Sequence, residues 1–419
     1  MLDIRQLREE PERCTERLRA RDPDIDLGPL LALDAERLDL IQRVEEQKAK
    51  RNRGSIEIGE LKRTGKDASA ALAEMTRLAQ QIDETDAALR DRTERVEALM
   101  AALPNMPHDS VPRGGKEANV VLRTVGEPPA TIPGLRNHLE IGTAKGLLDF
   151  ERGAAIAGAR FPLYIGYGAR LEMALLQYMF AHHVARGFTP VWPPFLANRE
   201  SFYVSSQLPK FADDLYRIET DGLFLNPTAE SLLANLHRGE VLDADSLPKD
   251  YVAYTPCFRR EAGSYGEEER GLIRVHQFNK VEMFTYTTPE DSYEALDRLV
   301  AAAESVLEGL GLHYRVVLLA SGDLAQQSAK TIDIEVLLPA QGRYYEVSSC
   351  SNCEAFQARR GVIRYRPAPK AKPAFVHTLN GSGLATSRLV AAILENNQTE
   401  EGTIRVPEVL QPALGVELL

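Results

Sequence analysis

The chain has 419 residues, of which 44% are hydrophobic and 26% are charged, and its formal net charge is −11 at pH 7. This composition can bury a large core in two or three domains, and it excludes a disordered chain. It also argues against general affinity for nucleic acids, because a protein that neutralises many phosphates usually needs a basic surface. Any nucleic-acid site must therefore have local positive charge.

Local sequence excludes further classes of protein. The N-terminus is charged from its third residue and no run of eighteen apolar residues occurs, so we expect neither a signal peptide nor a membrane-spanning helix, and a cytoplasmic location. Four cysteines in a chain this long do not indicate a disulfide framework. Cys350 and Cys353 form a CxxC pair without a second pair of ligands, so we expect a packed turn and no structural zinc.

The first predicted elements are two long helices. Residues 34–53 and 67–103 contain no glycine or proline and are rich in good helix formers. A heptad seam with two polar interruptions follows Met75, Leu78, Ile82, Thr85, Leu89, Arg92, Val96 and Leu99. With residues 54–66 as their connection, the helices should fold back as an antiparallel coiled-coil arm, and the second should extend on the order of 50 Å.

The predicted tip of this arm, residues 48–66, supplies local positive charge. Two acids and seven basic residues lie there, the latter being Lys48, Lys50, Arg51, Arg53, Lys62, Arg63 and Lys66. Taken alone, a coiled coil with a charged tip is typical of a dimerisation or spacer element with a solvated end. A surface for binding a nucleic-acid backbone is the alternative.

Prolines then mark a change in organisation. Residues 104–134 hold six of them, which predicts a linker and a domain boundary. Residues 167–186 predict a helix with Leu171, Leu175 and Met179 on one stripe and Gly187 as its stop. Residues 188–196 predict a strand that ends in two prolines; by itself this pair indicates an ordinary core helix and edge strand.

Short strands follow without regular βαβ spacing. They are predicted over residues 223–226, 254–261, 277–284, 315–320, 331–337 and 344–349. No GxGxxG fingerprint accompanies them, so an antiparallel sheet flanked by helices, in an α+β fold, is favoured over a Rossmann fold. A last helix over residues 384–397 places Arg388 in its first turn.

The most charged part of the chain is a predicted hairpin over residues 256–284. If its strands pair, Arg259 and Glu261 share one face of the first strand, and Phe278, Lys280 and Glu282 share one face of the second. Guanidinium groups bind phosphate oxygens and an aromatic face accepts a base, so this surface suits a nucleotide together with an ammonium group. A solvated hairpin with a cross-strand ion pair is the alternative.

This hairpin resembles motif 2 of the class II aminoacyl-tRNA synthetases, and in the form PCFR-EAG…GLIR-HQF-KVEM it resembles the bacterial seryl-tRNA synthetases. Three further blocks are similar to that family: residues 227–230 to its TxE loop, residues 380–388 to its motif 3, and residues 322–360 to the stretch between them. The likeness covers essentially the whole chain. It implies an N-terminal tRNA-binding domain (residues 1–103), a linker (104–134) and a class II catalytic domain (135–419).

The resemblance implies a serine–tRNA ligase that uses ATP to form seryl-adenylate and transfers serine to the 3′ end of serine tRNA, with selenocysteine tRNA as a further candidate acceptor. It also implies a homodimer through motif 1, which matches the helix and strand of residues 167–196, and no membrane association. In this family the arm grips the long variable arm of the tRNA, through backbone contacts that recognise its shape. The candidate contacts at the tip are Lys48, Arg51, Arg53, Lys62 and Arg63.

Roles for serine binding follow from the matched motifs. Thr228 and Glu230 would bind the ammonium group of serine, and Arg259 would bridge its carboxylate to the α-phosphate of ATP. The side-chain hydroxyl would be surrounded by Glu282, Asn380 and Ser382. Alanine or glycine would leave these polar groups unpaired, so the pocket would reject them.

Roles for ATP binding follow in the same way. Phe278 would stack on adenine, Glu261 would accept from its amino group, and Val275 would line the site. The β- and γ-phosphates would be held by Arg274 and Arg388.

Glu346 and Ser349 would bind Mg²⁺, a hard cation that prefers oxygen ligands. The acids of residues 267–269 are expected in a mobile loop that closes over ATP or meets the acceptor end of the tRNA.

Several positions depart from the family pattern without removing a named ligand, among them Ile332, Leu337, Ala355 and Ser387. They leave open a specialised paralogue with the same chemistry that serves antibiotic biosynthesis or resists an inhibitor. A carrier-protein aminoacyl ligase is disfavoured because such relatives usually lack the arm. A regulator without activity is disfavoured because the expected ATP ligands are all in place.

Overall fold

The computed structural model describes residues 1–130, 132–262 and 270–419, so the predicted loop of residues 267–269 lies outside the described residues. Contacts divide the chain into two units, residues 2–103 and residues 104–419 together with Met1. The helices of the smaller unit are α1 (Ile4–Glu9), α2 (Pro11–Arg19), α3 (Gly28–Arg63) and α4 (Ser69–Ala102). In the part of the chain that is described, no helix is both long and apolar enough to cross a membrane.

Helices α3 and α4 form the predicted arm, but the connection predicted at residues 54–66 is wrong. Helix α3 continues through Gly54 and Gly59 to Arg63, and only residues 64–68 join it to α4. A Cβ atom on Gly54 would lie 2.6 Å from Cε of Met75, so this glycine allows close packing of the two helices. With 36 residues, α3 is about 54 Å long.

The predicted seam of α4 is correct at its centre and wrong at its end. Leu78, Ile82 and Val96 are buried, whereas Leu99 is 41% exposed and Met100 is buried in its place. A straight helix has 3.6 residues per turn, so a pattern that repeats every 3.5 residues drifts around the helix by about 20° per heptad. By the end of α4 the buried stripe has therefore moved by one residue, from Leu99 to Met100. Arg92, one of the polar interruptions, pairs with Glu36 of α3 at 2.7 Å.

The larger unit combines helices with a central sheet. Its helices are α5 (His138–Ala144), α6 (Phe150–Ala157), α7 (Tyr167–Ala185), α8 (Arg199–Val204), α9 (Glu230–Leu233), α10 (Ser292–Leu310), α11 (Phe356–Gly361), α12 (Thr386–Asn396) and α13 (Gln411–Leu414). Its strands are β1 (Val120–Val125), β2 (Thr189–Val191), β3 (Leu196–Asn198), β4 (Arg217–Ile218), β5 (Leu223–Leu225), β6 (Val241–Asp243), β7 (Lys249–Phe258), β8 (Gln277–Thr287), β9 (Tyr314–Leu318), β10 (Lys330–Leu338), β11 (Arg343–Asn352), β12 (Arg364–Arg366), β13 (Ala374–Phe375) and β14 (His377–Ala385).

The central sheet has eight strands in the order β1-β9-β10-β11-β14-β8-β7-β2. Its strand pairs are antiparallel except for β2, which runs parallel to β7 at one edge. The α+β fold with an antiparallel sheet is thus confirmed. The strand predicted over residues 188–196 is split into β2 and β3, because the intervening prolines offer no N–H to a ladder. The opposite edge strand, β1, comes from the proline-rich segment.

Helices α7, α10 and α12 bury apolar side chains against the sheet in one core. The stripe Leu171, Leu175 and Met179 of α7 is buried, as predicted, and Gly187 follows the helix with φ of 96°. Strands β7 and β8 pair with Ala253 opposite Glu282. The prediction that Arg259 and Glu261 share a strand face is wrong, because β7 ends at Phe258 and Glu261 has φ of 52°.

Candidate active site

A polar cleft lies where β8, β11 and the start of α12 meet. Of the eight predicted ATP residues, seven line it: Arg259, Glu261, Arg274, Val275, Phe278, Glu346 and Arg388. Lys280 and Ser382 also line the cleft and lead to the predicted serine residues. The eighth, Ser349, lies on the same strand as Glu346. The structure therefore brings together residues that are far apart in sequence.

Arg259 lies between the two parts of this site. Its Nε donates to the carbonyl of Pro227, in the TxE loop, at 3.3 Å, and its guanidinium carbon lies 5.2 Å from the ring centroid of Phe278. Its backbone N–H donates to the carbonyl of His276 at 3.0 Å, which fixes the chain just after β7. One cation thus contacts both the loop expected to hold serine and the ring expected to hold adenine.

The other two arginines of the cleft contact predicted ligands. Nη1 of Arg274 lies 2.6 Å from Oε2 of Glu261. Nη1 of Arg388 donates to the backbone carbonyl of Glu346 at 2.6 Å and lies 3.3 Å from its Oε2, while Nε of Arg388 donates to the carbonyl of Ile273 at 3.1 Å. Arg388 is the third residue of α12, as predicted for the first turn. These pairs hold the guanidinium groups near where phosphates would lie.

The donor set predicted for Mg²⁺ consists of oxygen atoms beside a further acid. The side chain of Glu346 is 43% exposed and lines the cleft, and Ser349 stands opposite Asp333 in the β10–β11 ladder. Burial, and then the nearby Glu346, raise the pKa of Asp333 well above its usual value, whereas a hydrogen bond with Ser349 lowers it. Oδ1 of Asp333 is buried with no hydrogen-bond partner among the described residues. This set fits a hard cation.

Within the described ranges, no cluster of three or more His, Cys, Asp or Glu side chains could hold a metal ion. Mg²⁺ usually takes one or two carboxylates together with substrate phosphates and water, so its site does not require such a cluster. The thiols of Cys350 and Cys353 are buried and free, and Sγ of Cys353 accepts from Nδ2 of Asn380 at 3.5 Å. The CxxC pair thus packs beside the serine pocket.

Glu230 is the centre of a buried amide cluster in the predicted serine pocket. Its Oε1 accepts from Gln357 Nε2 at 2.7 Å, Gln327 Nε2 at 3.0 Å and Asn380 Nδ2 at 3.1 Å. Burial, and then the repulsion of Glu282, raise the pKa of Glu230 to about 7. The sequence around the two glutamines does not indicate that they bind Glu230, because Glu230 lies about a hundred residues away along the chain.

A second buried cluster joins Thr228, Lys280 and Glu282. Nζ of Lys280 donates to Oγ1 of Thr228 at 2.7 Å and pairs with the carboxylate of Glu282. Thr228 Oγ1 donates to Glu282 Oε2 at 3.1 Å. No ligand was predicted for Lys280, although its period-two spacing between Phe278 and Glu282 predicted that all three side chains lie on one face of the strand. Ser382 completes the cluster, since it lies opposite Glu282 in the β14–β8 ladder.

The candidate tRNA residues lie in the smaller unit, all on α3. Arg51, Arg53, Lys62 and Arg63 are exposed. Lys48 is half-buried, and its Nζ lies 3.1 Å from the carboxylate of Asp86 on α4. It therefore joins the two helices of the arm, which distinguishes it from the other four.

The motif 1 segment presents an apolar face. Met173 of α7 is 66% exposed and Trp192 is 74% exposed. With Leu176, Phe180 and Tyr254 they line an apolar cavity of about 570 Å³. Exposed apolar surface of this kind marks an interaction site.

Comparison with known proteins covers both units. Residues 1–107 match the family described as the seryl-tRNA synthetase N-terminal domain, and residues 215–397 match the tRNA synthetase class II core domain (G, H, P, S and T). The serine–tRNA ligase of Chlorobaculum parvum is 49% identical over 100% of both chains, and that of Chlorobium phaeovibrioides is 51% identical over 99% of this chain and 98% of its own.

A solved structure agrees with these sequences. The crystal structure of seryl-tRNA synthetase from Pyrococcus horikoshii complexed with ATP superposes with a TM-score of 0.94 at 35% identity, and covers 100% of this chain and 99% of that one. The two domain matches, the full-length relatives and the superposed structure show that this chain belongs to the seryl-tRNA synthetases, the serine-specific class II ATP-dependent aminoacyl-tRNA ligases.

Proposed function

We propose that this protein activates serine with ATP and transfers the seryl group to the 3′ end of serine tRNA. The observation that carries the proposal is the position of Arg259 between the buried acids of one pocket and the arginine-lined cleft beside it. A site that joins an amino acid to a nucleotide needs this arrangement, because both substrates bring negative charge to the point of reaction.

Serine recognition rests on the two buried clusters. Glu230 and Thr228 bind the ammonium group, and Glu282, Asn380 and Ser382 surround the side-chain hydroxyl. Glu282, Asn380 and Ser382 are at most 8% exposed, so an amino acid without a hydroxyl leaves these three side chains without a substrate partner in a place that water hardly reaches. Unsatisfied buried polar groups are costly, so alanine and glycine bind poorly.

Activation follows from the position of the reacting groups. Phe278 stacks on adenine with Val275 beside it, Glu261 accepts from its amino group, and Arg274 and Arg388 bind the β- and γ-phosphates. An oxygen of the serine carboxylate then attacks the α-phosphorus, and pyrophosphate leaves as seryl-adenylate forms. Arg259 offsets the charge of the approaching carboxylate and phosphate.

Glu346 and Ser349 would hold Mg²⁺ at the edge of the phosphate site. When bound, the ion neutralises phosphate charge and polarises the phosphoryl oxygens. In the second step the terminal ribose hydroxyl of the tRNA attacks the carbonyl carbon of the adenylate, and AMP leaves. We assign this chemistry to residues 135–419, tRNA binding to residues 1–103 through Arg51, Arg53, Lys62 and Arg63, and the connection to residues 104–134.

We further propose a homodimer formed through the motif 1 segment. The exposed Met173 and Trp192 and the apolar cavity beside them support it, because a second copy of the same face would remove this surface from water. A cytoplasmic location is proposed because serine, ATP and tRNA meet there.

The decisive experiment is serine-dependent exchange between ATP and pyrophosphate, with alanine and glycine as control substrates. We expect exchange with serine alone, and a protein that gives none with serine would contradict the proposal. Charging of serine tRNA by the full chain and by a chain lacking residues 34–103 tests the arm. Normal charging without these residues would contradict its proposed role, while exchange should be retained.

A further inference from the structure

Two buried polar side chains of α7 contact the segment that leads into α12. Glu172 and His183 are eleven residues apart, about three turns, and so lie on the same face of the helix. They are 5% and 0% exposed. The segment that they contact, residues 383–386, ends two residues before Arg388.

The backbone ladder does not fix this segment. Strands β14 and β8 pair regularly to Ser382, where the register shifts before pairing resumes at Ala385. Leu384 has φ of 143°, an uncommon conformation for a side chain of this size. The start of α12 therefore needs support from side chains.

His183 supports one end of the irregular segment. Its Nε2 lies 3.0 Å from the carbonyl oxygen of Gly383. Burial lowers the pKa of His183 to about 4, so the ring is neutral near pH 7 and Nε2–H is the donor. A Cβ atom on Gly383 would lie 2.5 Å from Nε2, so only glycine permits this approach.

Glu172 supports the other end and also holds β8. Its Oε1 accepts from the hydroxyl of Thr386, the first residue of α12, and from Nδ2 of Asn279 at 2.8 Å. The hydroxyl of Tyr254 donates to Oδ1 of Asn279 at 3.0 Å, which turns the amide nitrogen towards Glu172. Asn279 is adjacent to Phe278, and Thr386 is two residues before Arg388. Oε1 of Glu172 thus connects the strand that carries the adenine-stacking ring to the helix that carries a phosphate-binding arginine, beside a longer direct contact of 3.2 Å between Oγ1 of Thr386 and the carbonyl oxygen of Asn279.

We infer that Glu172 is a positioning residue for ATP, which holds the adenine side of the site, on β8, at a fixed distance from the phosphate side, on α12. This inference rests on the proposed function. Burial raises the pKa of Glu172, whereas its hydrogen bonds with Thr386 and Asn279 lower it. Its Oε2 has no hydrogen-bond partner among the described residues, so the carboxylate acts through Oε1 alone. The serine pocket has separate support, from the amide cluster around Glu230 and from Lys280.

The test uses the full chain and measures equilibrium binding of ATP by calorimetry together with the KM values for ATP and serine in pyrophosphate exchange. Glu172→Ala leaves the buried amide of Asn279 without its acceptor and leaves the hydroxyl of Thr386 only the carbonyl oxygen of Asn279 at 3.2 Å. It should raise the Kd and KM for ATP about tenfold, with the KM for serine within about twofold. Glu172→Gln keeps the acceptor oxygen and should restore ATP binding to within about threefold. Thr386→Val keeps the side-chain shape, so it should weaken ATP binding even if Glu172→Ala does not fold.

Thr285→Val is the matched control. Thr285 lies on β8 and, like Thr386, has a buried hydroxyl that donates to a carboxylate, in this case that of Asp250 at 2.6 Å. It should lower stability and leave the Kd for ATP unchanged. Unchanged ATP binding in Thr386→Val, or equal increases in the KM for ATP and serine, would overturn the inference. Absence of serine-dependent exchange in the unmodified protein would instead contradict the proposed function.

Discussion

Burial raises the pKa of Glu230 and so affects how this carboxylate binds an ammonium group. It gains three amide hydrogen bonds, but burial and Glu282 still raise its pKa to about 7. Before serine binds, this carboxylate is therefore partly protonated at neutral pH. An ammonium group binds only the ionised form, so serine must displace that proton.

Serine binding should therefore depend on pH through this one residue. Because the raised pKa is about 7, the ionised fraction grows as pH rises through 7, and the KM for serine should be about tenfold higher at pH 6 than above pH 8. Exchange assays between pH 6 and 8.5 measure this dependence, with the KM for ATP as the internal control. A KM for serine that does not change over this range would contradict the assignment.

Arg259 should dominate the activation step. Arg259→Ala removes the cation between the carboxylate and the α-phosphate, and we expect a loss of about 3 kcal/mol or more of transition-state stabilisation, seen as lower kcat/KM in exchange. The adjacent Arg260 is the matched control, since its guanidinium stacks on Tyr216, 5.2 Å from the ring centroid. Near-normal exchange by Arg259→Ala, or equal losses in both variants, would argue against the bridging role.

At the residue scale, the motifs indicated the proposed ligands but not the residues that support them. Seven predicted ATP residues line one cleft because the motifs contain them in order. Gln327 and Gln357 could not be found in this way, because an amide that binds a carboxylate a hundred residues away leaves no local pattern. The position of Glu261 was also missed, since its left-handed backbone depends on the geometry beyond β7.

Among the elements, α7 depends on a glycine at its start. A Cβ atom on Gly168 would lie 2.1 Å from the carbonyl oxygen of Leu147, which is backbone and cannot turn away. Gly168→Ala should therefore lower the free energy of unfolding by about 1–3 kcal/mol, measured by denaturant titration.

The matched control is Gly59→Ala in α3, another helical glycine, where a Cβ atom would have nothing within 4 Å. Alanine there should stabilise the arm by about 0.5–1 kcal/mol. If Gly168→Ala were as stable as the unmodified protein, the close packing at the start of α7 would be refuted.

Element boundaries were predicted least well where glycine and proline were the signals. Gly54 indicated the end of a helix, but its small size instead lets α3 pack against Met75 of α4. Periodicity was more reliable, since it located α7 to within one residue and most strands of the central sheet to within about five, although it missed β1 and β14. Local propensity alone could not show which glycines break a helix and which allow close packing.

For the whole molecule, the separation into two units allows tRNA binding and activation to be measured independently. Replacing Arg51, Arg53, Lys62 and Arg63 by alanine should raise the KM for tRNA and leave serine-dependent exchange unchanged. Each lost phosphate contact should reduce the slope of log affinity against log salt by about 0.7–0.9. Charging and exchange assays at several salt concentrations measure both effects.

Arg43 offers a matched control on the same helix, since Nη2 pairs with Asp39 at 2.8 Å below the tip. Its replacement by alanine should change neither assay. A fourfold-substituted arm that charges tRNA normally would refute the assignment of the tip.

Much of the overall architecture was predictable because it depends on sequence patterns that extend over many residues. The arm, α7 and most of the antiparallel sheet follow from composition and periodicity over many residues, whereas the 19-residue helix α10 was not predicted. Two of the departures from the family pattern, Ile332 and Ala355, are buried at 5% and 6% exposure and are packing positions, whereas Ser387 lines the cleft beside Arg388. Their effect on specificity could not be predicted, because packing is set by neighbours from other elements.

Lys280 gives the substrate pocket a balanced set of formal charges. When serine is bound and Glu230 is ionised, two acids, Glu230 and Glu282, balance two cations, Arg259 and Lys280, and the acids and the lysine are nearly inaccessible to water. A zwitterion adds no net charge to such a set, whereas an amino acid with an ionised side chain adds one that nothing nearby compensates. We therefore expect the pocket to reject aspartate and lysine electrostatically, before their size matters, so that its polar contacts have only neutral amino acids to distinguish.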